Sequence, residues 1–327
     1  MRIARLAAMV FSFAVFSGPV FGQAVDYSVE SVLSESELNL TKITSDNDQV
    51  AMPLVRRTRT GAQWTTNIVL GVSPDGSRLG FISARSKTSN LFIKSLDRQG
   101  PSVQRTNRAA VMDFSFSTDG KKILFSEKIG KNNRIFLTDA TQGFVCRQIT
   151  GDSQDFSPVF NSDMSKIFFC RQESQGFSLW SFDMNDNSLS TYCAGMNPCM
   201  DDIETAICVR VNAEGRGEIW RIDLSTGVEE CLVSDPNRSF SSPSVSPDGS
   251  KIVFVGSNGS QNGSRLYWNT DIFVCHQDGT GVMQLTFHAA DDISPVWGPD
   301  GTQIYFISQR GSKNAVANVW RMDCPEF

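Results

Sequence analysis

The stretch Ser73-Pro74-Asp75-Gly76, followed by the strand-like run LGFIS at 79–83, decides the fold of this chain because it recurs. Two further copies are nearly intact, namely Ser246-Pro247-Asp248-Gly249 before KIVFVG and Gly298-Pro299-Asp300-Gly301 before QIYFIS. Three copies are degenerate: Ser117-Thr118-Asp119-Gly120, Asn161-Ser162-Asp163-Met164 and Met200-Asp201-Asp202. The turn aspartates recur at intervals of roughly 40 to 50 residues, which is the period of propeller blades.

The segment 111–150 shows the content of one repeat. An extended run at 111–116 reaches the turn Asp119-Gly120, where glycine accepts the positive φ that other residues resist. A second run at 122–127, a third at 134–139 and a fourth, FVCRQIT, complete an antiparallel meander. The repeat therefore predicts an all-β fold, a six-bladed β-propeller of four-stranded antiparallel blades.

The sixth repeat lacks its fourth strand, since the chain ends shortly after NVWRMD. A spare copy lies near the N-terminus, where LNLTKIT at Leu38 to Thr44 matches MQLT and RQIT in the other repeats. We expect this N-terminal strand to close the last blade, because pairing there removes exposed sheet edges.

The first 24 residues have the features of a cleavable signal peptide. Arg2 and Arg5 precede an apolar run from Leu6 to Phe16, and Gly22-Gln23-Ala24 offers small residues for cleavage. A buried N-terminal helix is the alternative. We predict a signal peptide at 1–24, a single propeller at 25–327, and an exported, periplasmic or otherwise extracytoplasmic protein. The net charge of −5 and the lack of a basic stripe argue against nucleic acid, and no second apolar stretch predicts membrane insertion.

Eight cysteines lie in the mature part, but their spacing is not that of a metal site. Cys170, Cys208 and Cys275 fall inside apolar strand-like runs, so we expect them to be reduced and buried, with at most one or two disulfides elsewhere. No metal and no cofactor are predicted.

The repeat, with SPDG turns, a third strand of the type EIWRID and a following QLT, resembles the WD40-like Pro-Asp repeat of the TolB propeller. Ser294-Pro295-Val296-Trp297-Gly298-Pro299-Asp300-Gly301 is the nearest copy, and the resemblance extends from about Leu38 to Asp323. It implies a periplasmic propeller that binds proteins near its channel mouth, with a peptidoglycan-associated lipoprotein as partner. TolB also carries an α/β domain ahead of its propeller, and we expect that domain to be lacking here.

Two segments depart from the repeat: an insertion at about 46–63 and a Gly/Ser/Asn-rich loop at 256–269. In a four-stranded meander both fall on the face opposite the SPDG turns. We predict that a partner binds there, because arginine and aromatic residues anchor interfaces. The predicted partner-binding residues are Arg56, Arg57, Arg85, Arg171, Arg210, Tyr267, Trp268 and Arg310.

Three polar residues are expected near the channel mouth, namely Asp155, Asp292 and His288. The two aspartates precede equivalent first strands and suit either a cation or, as we favour, a turn or cap. His288 is more consistent with a solvated loop than with a catalytic base. No catalytic residue is predicted.

These features favour a non-enzymatic protein-binding platform of the cell envelope, as a monomer or as a subunit of a larger assembly. Its partner would be a peptidoglycan-associated or outer-membrane component. The alternative is a propeller enzyme that acts on a glycan or another envelope polymer, which would need a convergent acid, base or metal cluster at the channel.

Overall fold

The computed structural model describes residues 35–53, 55–57, 63–65, 69–85, 88–108, 110–141, 145–174, 176–262, 265–312 and 314–327. The predicted signal peptide lies outside these residues. Within them, the strands form six four-stranded antiparallel sheets, and the first strands of neighbouring sheets contact one another in a closed ring. The predicted six-bladed propeller is therefore confirmed.

In its described residues, the segment that precedes the first blade contains two 3₁₀ helices and three short strands. The helices are Glu35–Glu37 and Asp46–Asp48, and the strands are β1 (Thr41–Lys42), β2 (Val55–Arg57) and β3 (Gln63–Thr65).

In blades one to five the strands run in chain order from the axis outward. Blade one contains β4 (Leu70–Val72), β5 (Arg78–Ser83), β6 (Asn90–Ser95) and β7 (Val103–Gln104). Blade two contains β8 (Val111–Phe116), β9 (Lys122–Ile129), β10 (Asn132–Asp139) and β11 (Cys146–Gln148). Blade three contains β12 (Asp155–Phe160), β13 (Lys166–Glu173), β14 (Gly176–Asp183) and β15 (Leu189–Ala194).

Blade four contains β16 (Met196–Met200), β17 (Thr205–Val211), β18 (Gly217–Asp223) and β19 (Glu229–Val233). Blade five contains β20 (Arg238–Val245), β21 (Lys251–Asn262), β22 (Arg265–His276) and β23 (Met283–Gln284). Blade six contains β24 (Asp292–Trp297), β25 (Gln303–Ser308) and β26 (Asn318–Asp323), with β1 as its outer strand.

The SPDG turn has a second role besides reversing the chain. In blade one the Gly76 amide donates to the Ser73 carbonyl at 2.8 Å, and Gly76 adopts φ 71°. A Cβ atom at this glycine would lie 2.9 Å from Cγ of Pro299, which belongs to the turn of blade six. A Cβ atom at Gly120 would lie 3.2 Å from Nη2 of Arg78 and 3.4 Å from Cδ of Pro74, both of blade one. The motif therefore packs the proline of one blade onto the glycine of the next.

The threonine of the QLT motif satisfies a backbone group of the third strand. Its hydroxyl accepts a hydrogen bond from the main-chain N–H of an apolar residue, so an otherwise orphaned donor is paired inside the sheet. The pairs are Thr106 with Leu91 (2.9 Å), Thr150 with Ile135 (3.0 Å), Thr286 with Ile272 (2.9 Å) and Thr44 with Val319 (2.8 Å).

The N-terminal strand closes blade six as predicted. Thr41 pairs with Arg321, and the amides of Ile43 and Asp323 donate to the carbonyls of Val319 and Leu38 at 2.8 and 2.9 Å. The regular strand is limited to Thr41–Lys42, but these contacts extend the closure over the whole predicted segment.

The buried cysteines follow the prediction. Cys170, Cys208 and Cys275 are fully buried in the sheets. All eight cysteines lie within the described residues and carry free thiols. These three sulfurs therefore pack as small apolar groups.

Candidate functional site

The two faces of the disc differ in the length of their connections. The face with the first-to-second and third-to-fourth turns, including the SPDG turns, is called the turn face. The opposite face carries the second-to-third loops and the crossings between blades, and is called the loop face. Both extensions predicted from the sequence lie on the loop face.

The first extension is the hairpin β2–β3, in which Arg56 pairs with Trp64 and Arg57 with Gln63. Strand β3 lies against β20, the first strand of blade five. The hairpin belongs to the crossing between the outer strand of blade six and β4 of blade one, and crossings between blades lie on the loop face. Arg56 and Arg57 are thereby placed on the predicted face.

The second extension is a strand pair where the sequence predicted a loop. Strands β21 and β22 contain 12 residues each and stay paired to Asn262 and Arg265, whereas β13 and β14 contain 8 each. Four more residues lengthen the hairpin by roughly 14 Å. The Gly/Ser/Asn-rich composition is typical of loops, so the sequence did not predict a strand here. In the structure the backbone N–H and C=O groups form cross-strand hydrogen bonds, whereas in a loop they would bind water. Tyr267 and Trp268 lie on β22, opposite Ser260 and Gly259.

An arginine stacked on a third-strand aromatic ring recurs in every blade, and each of these arginines also pairs with an acidic side chain. Four of the six were predicted as partner anchors. The sets are Arg85 with Phe92 and Asp48, Arg108 with Phe136 and Glu127, Arg171 with Trp180 and Asp155, Arg210 with Trp220 and Glu229, Arg238 with Phe273 and Asp235, and Arg310 with Trp320 and Asp292.

Blade three shows the geometry of this unit. Arg171 lies with its Cζ 4.3 Å from the centre of the Trp180 ring. Its Nε and Nη2 donate to the two carboxylate oxygens of Asp155 at 2.7 and 3.1 Å. Because such a bidentate pair fixes the geometry of both side chains, Arg171 contributes to the internal structure of blade three, and a partner could contact it only in this fixed position.

In blade four Arg210 is held equally firmly. Its two terminal nitrogens donate to Glu229 at 2.7 Å each, and its Nε donates to the Ala194 carbonyl at 2.9 Å. The hydrogen bonds with Glu229 raise the pKa of Arg210, and those with Arg210 lower the pKa of Glu229.

In blade six Arg310 is only 5% exposed and lies between Asp292 and Glu35 of the first 3₁₀ helix. Burial raises the pKa of Asp292, and the positive charge of Arg310 offsets this increase only in part. The carboxylates of Asp155 and Asp292 both face arginines, so their role here is ion pairing, which neither the cation nor the turn hypothesis anticipated.

His288 is exposed in the crossing to blade six, where its Nδ1 accepts a hydrogen bond from the Ala290 amide at 2.9 Å. This agrees with the loop interpretation. Among the residues that the structure describes, no three His, Cys, Asp or Glu side chains are grouped as metal ligands would be.

A groove of about 750 Å³ separates blades three and four on the loop face. Phe177 of β14 and Met196 of β16 form its apolar floor, and Val211, 42% exposed, lies on its rim. Glu173 and Arg210 add charged groups at the edge. The groove thus combines apolar surface with flanking charge, which is the composition of a protein-binding site. Only Arg210 of this set was predicted.

The turn face also exposes apolar side chains, which the sequence analysis did not anticipate. Val145 is 85% exposed and Val228 is 65% exposed, both at third-to-fourth turns. These residues provide matched positions for comparing the two faces.

Comparison with known proteins gives a consistent family assignment. The family model described as the TolB beta propeller domain, PD40, matches residues 65–268. The Tol-Pal system protein TolB of Anaeromyxobacter sp. (strain K) is 35% identical over 102 residues, which cover 31% of this chain and 21% of that protein. This chain therefore matches about a fifth of the length of that relative.

Two solved structures illustrate the range of proteins with this fold. A protein assigned as TolB from Agrobacterium tumefaciens superimposes with a TM-score of 0.59 at 18% identity, covering 79% of this chain and 90% of that one. The oligogalacturonate lyase of Vibrio parahaemolyticus superimposes with a TM-score of 0.58 at 13% identity, covering 90% and 96%. At these identities the likeness concerns the fold alone. In the described part of this chain, no helix is long and apolar enough to cross a membrane.

Proposed function

Because this chain belongs to the TolB β-propeller family, we propose that it is a non-enzymatic, protein-binding propeller of the cell envelope. It would be exported by its N-terminal signal and would bind a peptidoglycan-associated or outer-membrane protein. The propeller fold supports such a role only as a scaffold, so the assignment depends on the surface that the fold presents.

The observation that carries the proposal is the groove between blades three and four. A partner side chain inserted there would contact Phe177 and Met196 while Val211 excludes water at the rim. Phe177 is itself supported by Phe156, whose ring centre lies 6.5 Å away in an edge-to-face arrangement. A preformed apolar floor limits the entropy lost on binding.

The acidic and basic groups near the channel favour binding over catalysis. Asp155 and Asp292 are buried in ion pairs with Arg171 and Arg310, and Nδ1 of His288 accepts a hydrogen bond from the Ala290 amide. These groups serve internal contacts of the fold, which is the expectation for a platform.

Site-specific photocrosslinking in the native cells tests the proposal. A photoreactive phenylalanine analogue at Phe177 or Val211 should form an adduct with one envelope protein. The same analogue at Val145 or Val228, which are exposed on the turn face, should not. Alanine at Arg171 is a poor probe, because it would leave the Asp155 carboxylate buried without its partner.

Adducts from Val145 and Val228 alone would show that the partner binds the turn face. Shortening of an envelope polysaccharide or of oligogalacturonate by the purified protein would contradict the non-enzymatic role and favour the glycan-acting alternative.

A further inference from the structure

The outer strand of blade three differs from the outer strands of the other five blades. Strand β15 contains six residues, Leu189–Ala194, none of which is charged. The outer strands β1, β7, β11 and β23 contain only two or three residues each, and β19 begins with Glu229 and Glu230. Proteins prevent unwanted pairing at a sheet edge by shortening the edge strand or by adding charge to it. Of the six outer strands, β15 alone has neither feature.

The pairing of β15 with β14 shows which backbone groups lie on its open edge. The Asp183 amide donates to the Ser188 carbonyl at 2.9 Å, so these two residues form a hydrogen-bonded pair. Such pairs alternate along an antiparallel ladder, and the next one on β15 is at Ser190. The N–H and C=O groups of Leu189 and Thr191 therefore point away from β14. Among the strands that the structure describes, only β14 pairs with β15, so these groups can bond to another extended chain.

The open edge leads toward the groove between blades three and four. Beyond Thr191 the register shifts by a bulge, and the Ala194 carbonyl accepts a hydrogen bond from Nε of Arg210 at 2.9 Å. The regular part of the edge therefore ends about three residues, or roughly 10 Å, before Ala194, which itself lines the groove. A chain that pairs with Leu189 and Thr191 reaches the apolar floor at Phe177 with its next few residues.

We propose that the partner of this propeller binds blade three with an extended segment, which pairs with β15 as a fifth strand and places an apolar side chain in the groove. This inference rests on the proposed function and names the structural class of the partner segment. Leu189, Ser190 and Thr191 are exposed and uncharged, so a charge on the paired part of the segment would find no opposite charge there. That part should therefore be uncharged and rich in β-branched residues. In this mode of recognition main-chain hydrogen bonds supply affinity and side-chain pockets supply specificity.

Thr191→Pro tests the pairing, because proline removes an N–H that β14 does not use. Thr191→Val is the matched control, since it keeps the N–H and replaces only the hydroxyl. The probe is the envelope protein recovered as an adduct from the photoreactive analogue at Val211, purified and titrated against the full chain. Thr191→Pro should weaken binding of this protein about tenfold or more, and Thr191→Val about twofold or less.

Leu189→Lys is a second test that leaves every backbone group in place, with Leu189→Gln as its neutral control. Lysine on an edge strand opposes pairing, so Leu189→Lys should bind about threefold more weakly than Leu189→Gln. Amide hydrogen exchange gives the direct signature of a fifth strand. The bound partner should slow exchange at Thr191 and leave Ser190 unchanged, because the Ser190 amide already bonds to β14.

The outcomes separate this inference from the proposed function. If no adduct forms at Phe177 or Val211, the proposed function fails and the inference fails with it. If the adduct forms but Thr191→Pro and Leu189→Lys bind as tightly as their controls, the partner uses the groove without the edge and only the inference is overturned. Should Thr191→Pro not fold in thermal melts, Leu189→Lys and exchange at Thr191 decide. A dimer of the purified protein that dissociates in Leu189→Lys would assign the edge to a second copy of this chain and also overturn the inference.

Discussion

Leu38→Ala tests how strongly the N-terminal strand holds the ring closed. The Leu38 side chain is 2% exposed and packs in the core cluster that joins blades five, six, one and two. Its carbonyl accepts the hydrogen bond from Asp323, which the substitution retains, so only side-chain packing is lost. Loss of a buried leucine side chain costs about 2–5 kcal/mol, which includes the cavity that remains. For a chain of this size the melting temperature should fall by roughly 4–10 °C.

Leu189→Ala is the matched control. Leu189 is 46% exposed, so the same substitution is made there at the surface. Its expected effect is about 0.5 kcal/mol or less. Urea unfolding followed by tryptophan fluorescence and by circular dichroism measures both variants. If Leu38→Ala costs no more than Leu189→Ala, the closing segment does not contribute the packing described here.

Three further predictions concern the turns, one buried carboxyl and the thiols. Gly76→Ala should destabilise the protein by about 1 kcal/mol or more beyond Gly130→Ala, since both glycines have positive φ but only a Cβ at 76 meets Pro299; equal melting temperatures would refute the packing role of the motif. Burial raises the pKa of Asp113 to about 6 from its ordinary 3.8, so between these values the native protein keeps a proton that the unfolded chain has released; this carboxyl therefore lowers the stability of the fold as the pH rises from about 4 to about 6, and the loss persists above pH 6. Asp113→Asn should therefore lose less stability than wild type across that interval in thermal melts, and parallel pH profiles would contradict this. Cys170 is fully buried and Cys231 is exposed, so iodoacetamide should label Cys170 only after unfolding and Cys231 already in the native protein. Burial raises the pKa of Cys170 to about 12 and that of Cys231 to about 11, so the labelling of Cys231 should be slow at neutral pH; mass spectrometry of peptides distinguishes the two thiols, and labelling of both at one rate would count against the burial of Cys170.

The architecture was predictable because the signals that specify it are local and repeated. An Asp-Gly turn needs only a few neighbouring residues, so each copy could be recognised alone. The spare LNLTKIT segment could be matched to its blade because Thr44 performs the same hydrogen bond as Thr286. Because the motif repeats, the sequence predicted even the pairing of the N-terminal strand with the last blade, two parts of the chain that are far apart in sequence.

The stacked arginines were not predictable in the same way. The third-strand aromatic has one fixed place in the repeat, but its arginine comes from the second strand in blade three (Arg171) and from the crossing before blade two (Arg108). Residues at different repeat positions converge on one place only in three dimensions. A sequence alignment of the blades therefore places these arginines at unrelated positions, and their acidic partners are equally scattered.

The groove could not be predicted from the sequence for another reason. It is formed between two blades, from residues that belong to different repeats. Phe177 and Val211 lie on separate hairpins, and their proximity depends on the angle between two blades.

The closing strand also has a consequence for the order of folding. Thr44 and Val319 are 275 residues apart, so the strand that is synthesised first acquires its partner last. The entropy of closing so long a loop grows only slowly with length, but contacts at this separation slow folding. Throughout synthesis β26 is not yet available, and the nascent disc is an open arc with unpaired edges at both ends. The period in which this protein is most exposed to aggregation therefore ends only when its final strand is made.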